Sequence, residues 1–154
     1  MRTRKSSTSK GDADAGKVPM NPAAEKSPAP GPVELFETND FARLLGMHIT
    51  DARDGYARVE MDCTGKLNPH GAAHGGAVFS LADHAFGIAS NCGPVQYTAI
   101  SVHIQYLAPA RGRIAAVAER TAKNETCDIF TVTVTDGSGR TVALFYGTAF
   151  RVLP

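Results

Sequence analysis

An α+β fold, in which one long curled antiparallel sheet wraps around a single central helix, is what three observations in this sequence predict. The run from Gly75 to Asn91 is apolar or small almost all round, broken only by Asp83 and His84, which is the texture of a helix buried on every side. Stretches before and after it alternate apolar and polar residues with the period of strands. Turn-forming clusters, Arg53-Asp54-Gly55 and Asp136-Gly137-Ser138-Gly139, separate those stretches at hairpin spacing.

Each element follows in order. Residues 1–33 are rich in Ser, Ala, Gly, Pro and Lys, hold five of the nine prolines and offer almost no large apolar side chains, so this segment cannot offset its chain entropy and is expected to be a disordered tail. The folded domain is expected over residues 34–154. After Thr38, the run Asn39 to Gly46 reads as a short helix with a capping residue first, Phe41, Leu44 and Leu45 on one face, and glycine as the stop. A strand near Met47 to Ala52 should pair with Tyr56 to Cys63, whose inward face is Ala57, Val59, Met61 and Cys63. A loop containing Asn68-Pro69-His70-Gly71 leads into the central helix. Beyond Pro94 the chain reads as strands: Ile100 to Tyr106, Ile114 to Thr121, Cys127 to Thr135 and Thr141 to Val152. A helix inserted after the first hairpin and followed by antiparallel strands is a two-layer arrangement.

Composition narrows the function. A chain of 154 residues fits one domain, and 20% charged residues with a net charge of +1 lack the basic excess of a nucleic-acid binder. Cys63, Cys92 and Cys127 are odd in number and contain no CxxC pair, which argues against a disulfide framework or zinc knuckle. His70 and His74 are four apart, but Pro69 and Gly71 place them on a loop and not on one helical face, which disfavours a metal site. With no run of about 20 apolar residues and no apolar leader after Arg2, Arg4 and Lys5, the expected location is the cytoplasm, with no membrane partner.

Two positions can carry chemistry. His74-Gly75-Gly76 stands where the loop becomes the buried helix. A helix start leaves about four N–H groups without intrahelical partners and about half a positive charge, which suits a carbonyl oxygen gaining negative charge. Glycine lets that carbonyl approach, although a glycine pair also serves plain helix–sheet packing. Asp83 is the second position: a carboxylate inside an apolar helix needs compensation. That compensation is structural, through a backbone N–H or Ser101, or functional, with Asp83 as general base or nucleophile. Eight residues separate Gly75 from Asp83, about 12 Å along a helix axis, so the two cannot reach one carbon within a single chain. If both act on one ester, the second comes from another subunit. His84 points about 100° away from Asp83 and reads as a packing residue.

The string Leu67-Asn68-Pro69-His70-Gly71-Ala72-Ala73-His74-Gly75-Gly76-Ala77-Val78-Phe79-Ser80-Leu81-Ala82-Asp83, with Ser101-Val102, Gln105 to Ala110 and Val142 to Phe145, resembles the hotdog-fold acyl-CoA thioesterases of the PaaI type. The likeness spans about residues 40–152. It implies hydrolysis of aryl-acyl or short- to medium-chain acyl-CoA without a dissociable cofactor, in a homodimer or dimer of dimers (a homotetramer) with the active site at the subunit interface. It also implies roles: the Gly75 N–H polarises the thioester carbonyl, Asp83 of the partner activates water or attacks, Asn68 and His74 position the group, and Ser101 orients the water. Ala108 and Gly112-Arg113 depart from the family pattern, which leaves Arg111 or Arg113 for the CoA phosphates. An acyl tunnel lined by Val78, Phe79 and Leu81 is expected. A non-catalytic acyl-CoA-binding module and an enoyl-CoA hydratase or dehydratase on the same fold are the competing readings.

Overall fold

The fold begins with two short helices, the first laid against the central helix and the second against the first strand. In the computed structural model, which describes residues 31–152, these are α1 (Pro32–Glu37) and α2 (Asp40–Leu45). Helix α1 starts on a proline, whose missing N–H and fixed φ suit a first helical position, and no periodicity in the sequence announces it. The tail expected over residues 1–33 falls almost wholly outside the described residues. In α2 the Asn39 side chain accepts from the N–H groups of Phe41 and Ala42, and Gly46 ends the helix in the left-handed region at φ 63°. Its buried face is not the expected one: Ala42 and Leu45 turn inward, while Phe41 and Leu44 are exposed. The stripe is rotated by one position, with α2 packed on β1 and Ala42 in the core.

The strands are β1 (Met47–Arg53), β2 (Tyr56–Asp62), β3 (Tyr97–Tyr106), β4 (Arg113–Lys123), β5 (Cys127–Asp136) and β6 (Thr141–Arg151), with α3 (Gly75–Asn91) between β2 and β3. They form one antiparallel sheet in the order β1-β2-β4-β5-β6-β3. The strand that follows the helix therefore lies at the edge opposite the opening hairpin. Helix α3 touches all six strands, and the whole is the hotdog arrangement that the resemblance implies.

Alternation explains the packing. Ala57, Val59 and Met61 of β2, and Cys63 just after it, are buried as expected, as are Phe130, Val132 and Val134 of β5 and Phe145 of β6. The face that α3 offers them is largely alanine: Ala77, Ala82, Ala85 and Ala89, with Val78, Leu81, Phe86 and Ile88 filling the gaps. Small side chains let the helix axis approach the sheet, and one ring defines the fit. Phe86 packs against Phe130 and Phe145 at centroid distances of 5.3 and 5.7 Å, and a Cβ on Gly147 would meet that ring at 2.9 Å. Gly147→Ala should accordingly destabilise the domain by about 1–3 kcal/mol, the usual cost of overpacking, in denaturant melts. A midpoint equal to that of the parent would mean that Phe86 has room to move.

Candidate active site

The loop before α3 is built by Asn68. Its Oδ1 accepts from the N–H groups of His70 and Ala72 at 2.9 and 3.1 Å, closing an Asx turn, and Gly71 sits in it at φ 70°. The Asn68 N–H is held by the Ala72 carbonyl at 2.7 Å and the His74 N–H by the Lys66 carbonyl at 2.8 Å. Arg111 donates to the Gly71 carbonyl from the next loop. The turn delivers His74 to the N-cap, where its Nδ1 accepts from the Gly76 N–H at 3.0 Å. An accepting Nδ1 leaves the ring proton on Nε2.

That cap decides which amide is free. The Gly76 N–H goes to His74 Nδ1, and those of Ala77 and Val78 go to the His74 carbonyl at 2.9 and 3.1 Å. Among the described residues the Gly75 N–H has no hydrogen-bond partner. It stands at the positive end of a 17-residue helix and beside a cleft of about 330 Å³, whose walls include Asn68, Val78, Tyr106, Ala108 and Pro109. The Tyr106 hydroxyl donates to the Gly75 carbonyl at 3.0 Å and ties the end of the edge strand to the helix start. The sequence alone gives Tyr106 no role; its only signal is an aromatic closing the alternation Ile100, Val102, Ile104.

Asp83 lies elsewhere. It lines a second cavity, of about 370 Å³, with Phe36, Phe86, Gly87, Ser90 and Tyr97. Among the described residues it has no hydrogen-bond or ion-pair partner, Ser101 included, and burial raises the carboxyl above its ordinary pKa. His84 turns to the Phe36 ring at 5.9 Å, edge to face, and burial lowers its pKa. The structure thus brings Asn68, His74 and Gly75 together and sets Asp83 apart on the same helix. Ser101 lies on exposed β3, opposite Thr148 at a bulge, and lines neither cavity. Of the expected tunnel residues, Val78 lines the Gly75 cleft, but Leu81 is fully buried in the core and the half-buried Phe79 packs on Phe145 at 5.7 Å.

Comparison with known proteins places this geometry. A family described as a domain of unknown function (DUF4442) matches residues 38–149. The acyl-coenzyme A thioesterase PaaI of Escherichia coli K12 is 32% identical over 121 residues, which cover 77% of this chain and 86% of that protein. The solved structure of the E. coli PaaI protein aligns with a TM-score of 0.74 and 30% identity, over 77% of this chain and 88% of that one. The chain belongs to the PaaI-type hotdog-fold thioesterases. The phenylacetic acid degradation protein PaaI of Thermus thermophilus, solved as a point mutant, aligns at a TM-score of 0.69 and 35% identity, over 74% of this chain and all of that one. A hypothetical thioesterase of Streptococcus pneumoniae TIGR4, solved with coenzyme A, aligns at 0.65 and 26% identity, over 69% of this chain and 85% of that one. No helix among the described residues of this PaaI-type chain is long and apolar enough to cross a membrane.

An unpartnered, half-buried carboxylate should weigh on stability. Because the folded pKa of Asp83 lies above its unfolded value, the folded state incurs no penalty at pH below the unfolded value, and the penalty appears as pH rises through the folded one. Asp83→Asn should melt a few degrees higher than the parent at pH 7, with the gap closing below about pH 4, where an unfolded aspartate is also protonated. Differential scanning calorimetry at the two pH values reads this directly, and equal melting temperatures at pH 7 would contradict it.

Proposed function

We propose that this protein is a cytoplasmic acyl-CoA thioesterase acting on aryl-acyl or short- to medium-chain thioesters, with each active centre shared between two subunits. The observation that carries the reading is the pairing on one helix of an unsatisfied Gly75 N–H and an unsatisfied Asp83 carboxylate, each beside a cavity and too far apart to meet. The separation is about 12 Å along the axis. The relatives named as thioesterases, and the one solved with coenzyme A, support a thioester hydrolase.

In this mechanism the thioester carbonyl oxygen accepts a hydrogen bond from the Gly75 N–H, reinforced by the helix dipole. Asp83 of the partner subunit takes a proton from water as the water oxygen bonds to the carbonyl carbon. The negative charge on the carbonyl oxygen then collapses back, the carbon–sulfur bond breaks, and CoA leaves as the thiolate. No dissociable cofactor enters these steps. Asn68 and His74 serve by holding the loop and capping Gly76, which keeps the Gly75 N–H as the free amide. Ser101, on β3, is assigned to water positioning across the interface, and association occurs through β3. This is the free edge of the sheet, where Ile100 and Val102 remain exposed in the single chain. The assembly is this homodimer or a dimer of such dimers, a homotetramer. Arg111, tied to the Gly71 carbonyl at the cleft loop, or Arg113 supplies the cation for the CoA phosphates.

Substitutions test the shared centre. Asp83→Ala should lower kcat/KM by about 10²–10⁴-fold, the contribution of a general base. Gly75→Pro removes the one N–H at a position where proline is tolerated, because it is the first helical residue and His74 before it is already extended; the expected loss is about 10²–10³-fold. Refolding the two inactive variants together should restore about a quarter of the parent activity, since half of randomly paired dimers are mixed and each has one intact centre. No recovery from mixtures that demonstrably exchange subunits would sink the shared site. A pH profile of kcat/KM provides a second check: activity should fall toward acid with an apparent pKa above the ordinary aspartate value, because Asp83 must be ionised to act and burial opposes ionisation.

A further inference from the structure

We infer that Phe36 of α1 is the end-stop of the acyl pocket and sets the length of acyl chain the enzyme accepts. The inference deepens the thioesterase reading and rests on it. With Asp83 at the reacting carbon, the part of the substrate beyond the carbonyl enters the cavity that Asp83 lines. That cavity is walled by the Phe36, Phe86 and Tyr97 rings and the small residue Gly87, with Ser90, Asn91 and Thr98 adding polar groups to the lining.

Phe36 does not only line this space; it divides it. A separate cleft of about 250 Å³ lies under α1, bordered by Pro32, Leu35, Asn39 and Gln96, and the residues common to both spaces are Phe36 and Asn91. Asn91 is fixed. Its Nδ2 donates to the Gly87 carbonyl at 3.0 Å, and its Oδ1 accepts from the Tyr97 N–H at 2.9 Å, joining the end of α3 to the start of β3. Phe36 is held only by packing, against the His84 ring at 5.9 Å and over Gly87, where an added Cβ would come within 3.6 Å of its Cε1. Removing the ring would join a cavity of about 370 Å³ to one of about 250 Å³. Phe36 packs against the core from outside it, and α1 contains no fully buried residue. The helix precedes residue 38, where the family match begins.

The test uses the full chain, as parent, Phe36→Ala and Phe36→Trp. Thiol release is measured with straight-chain acyl-CoA substrates of about 4 to 12 carbons, and calorimetry measures binding of the matching non-hydrolysable acyl-CoA thioethers. An extra methylene in an apolar pocket shifts discrimination by about tenfold or more. Phe36→Ala should raise the ratio of long- to short-chain kcat/KM at least about tenfold, and Phe36→Trp should lower it, with thioether affinities moving in the same directions. A uniform loss in both variants, with the ratio unchanged, would overturn the inference while parent turnover upheld the thioesterase reading. Parent binding of thioethers without turnover would overturn that reading, and the thioether series would still decide the role of Phe36. Absence of both binding and turnover would overturn the two together.

Discussion

A helix advances only about 1.5 Å per residue, and a helix enclosed by a sheet cannot bend to shorten that path. This constraint governs the molecule. Helix α3 lies against all six strands along an alanine-rich face, with Phe86 locked between Phe130 and Phe145 and over Gly147. Its start and its middle are thereby held at a set spacing. The two groups with unused hydrogen-bonding capacity, the Gly75 amide and the Asp83 carboxylate, sit at those two places and open on separate cavities. Rigidity that would otherwise serve only stability keeps these two groups from meeting within one chain.

The entry loop shows how little the free amide is left to chance. Asn68 commits its carbonyl oxygen to the turn, and His74 commits Nδ1 to Gly76, while the His74 carbonyl takes the next two amides. Each bond to the helix satisfies an otherwise orphaned donor of the first turn, and together they leave one. Residues whose spacing invites a metal or catalytic reading thus make the hydrogen bonds that shape the helix entry. The same logic appears behind the sheet, where Arg120 binds both Asp54 of the first hairpin turn and the buried Asp128, closing that end of the domain over the last turn of α3.

Much of this is legible in the sequence because the signals are periodic or chemically unusual. The inward face of β2, the extent of α3 and the placing of Gly75 at its start and Asp83 inside it follow from alternation, all-round apolarity and the oddity of an acid in such a helix. The expected hairpin and the last turn also form where their glycines stand. What escapes notice lacks a period. Helix α1 has six residues, too few for an amphipathic pattern to register, although Pro32 followed by Val33, Leu35 and Phe36 is a usable hint. The rotation of α2 depends on which of two apolar pairs meets β1, a tertiary choice that propensity does not encode. The chemistry of Leu81 suits a tunnel lining, yet direction around a helix is set by where the sheet lies. Asp128 is readable: it occupies an inward position in step with Phe130 and Val132, and an acid there requires a partner such as Arg120.

The two rims of the sheet are unlike. Both edge strands carry a bulge, β1 between Ile49 and Asp51 and β3 between Ala99 and Ser101, but β1 also carries the Asp51–Arg53 pair and has α1 and α2 beside it, whereas β3 runs for ten residues with no such neighbours among the described residues. A sheet with two welcoming rims could grow by repeated addition into a fibre. Here the only hospitable rim among the described residues is the same strand in every copy, so a β3-to-β3 encounter uses up the capacity of both participants, and growth along the hydrogen-bonding direction terminates with the first pair.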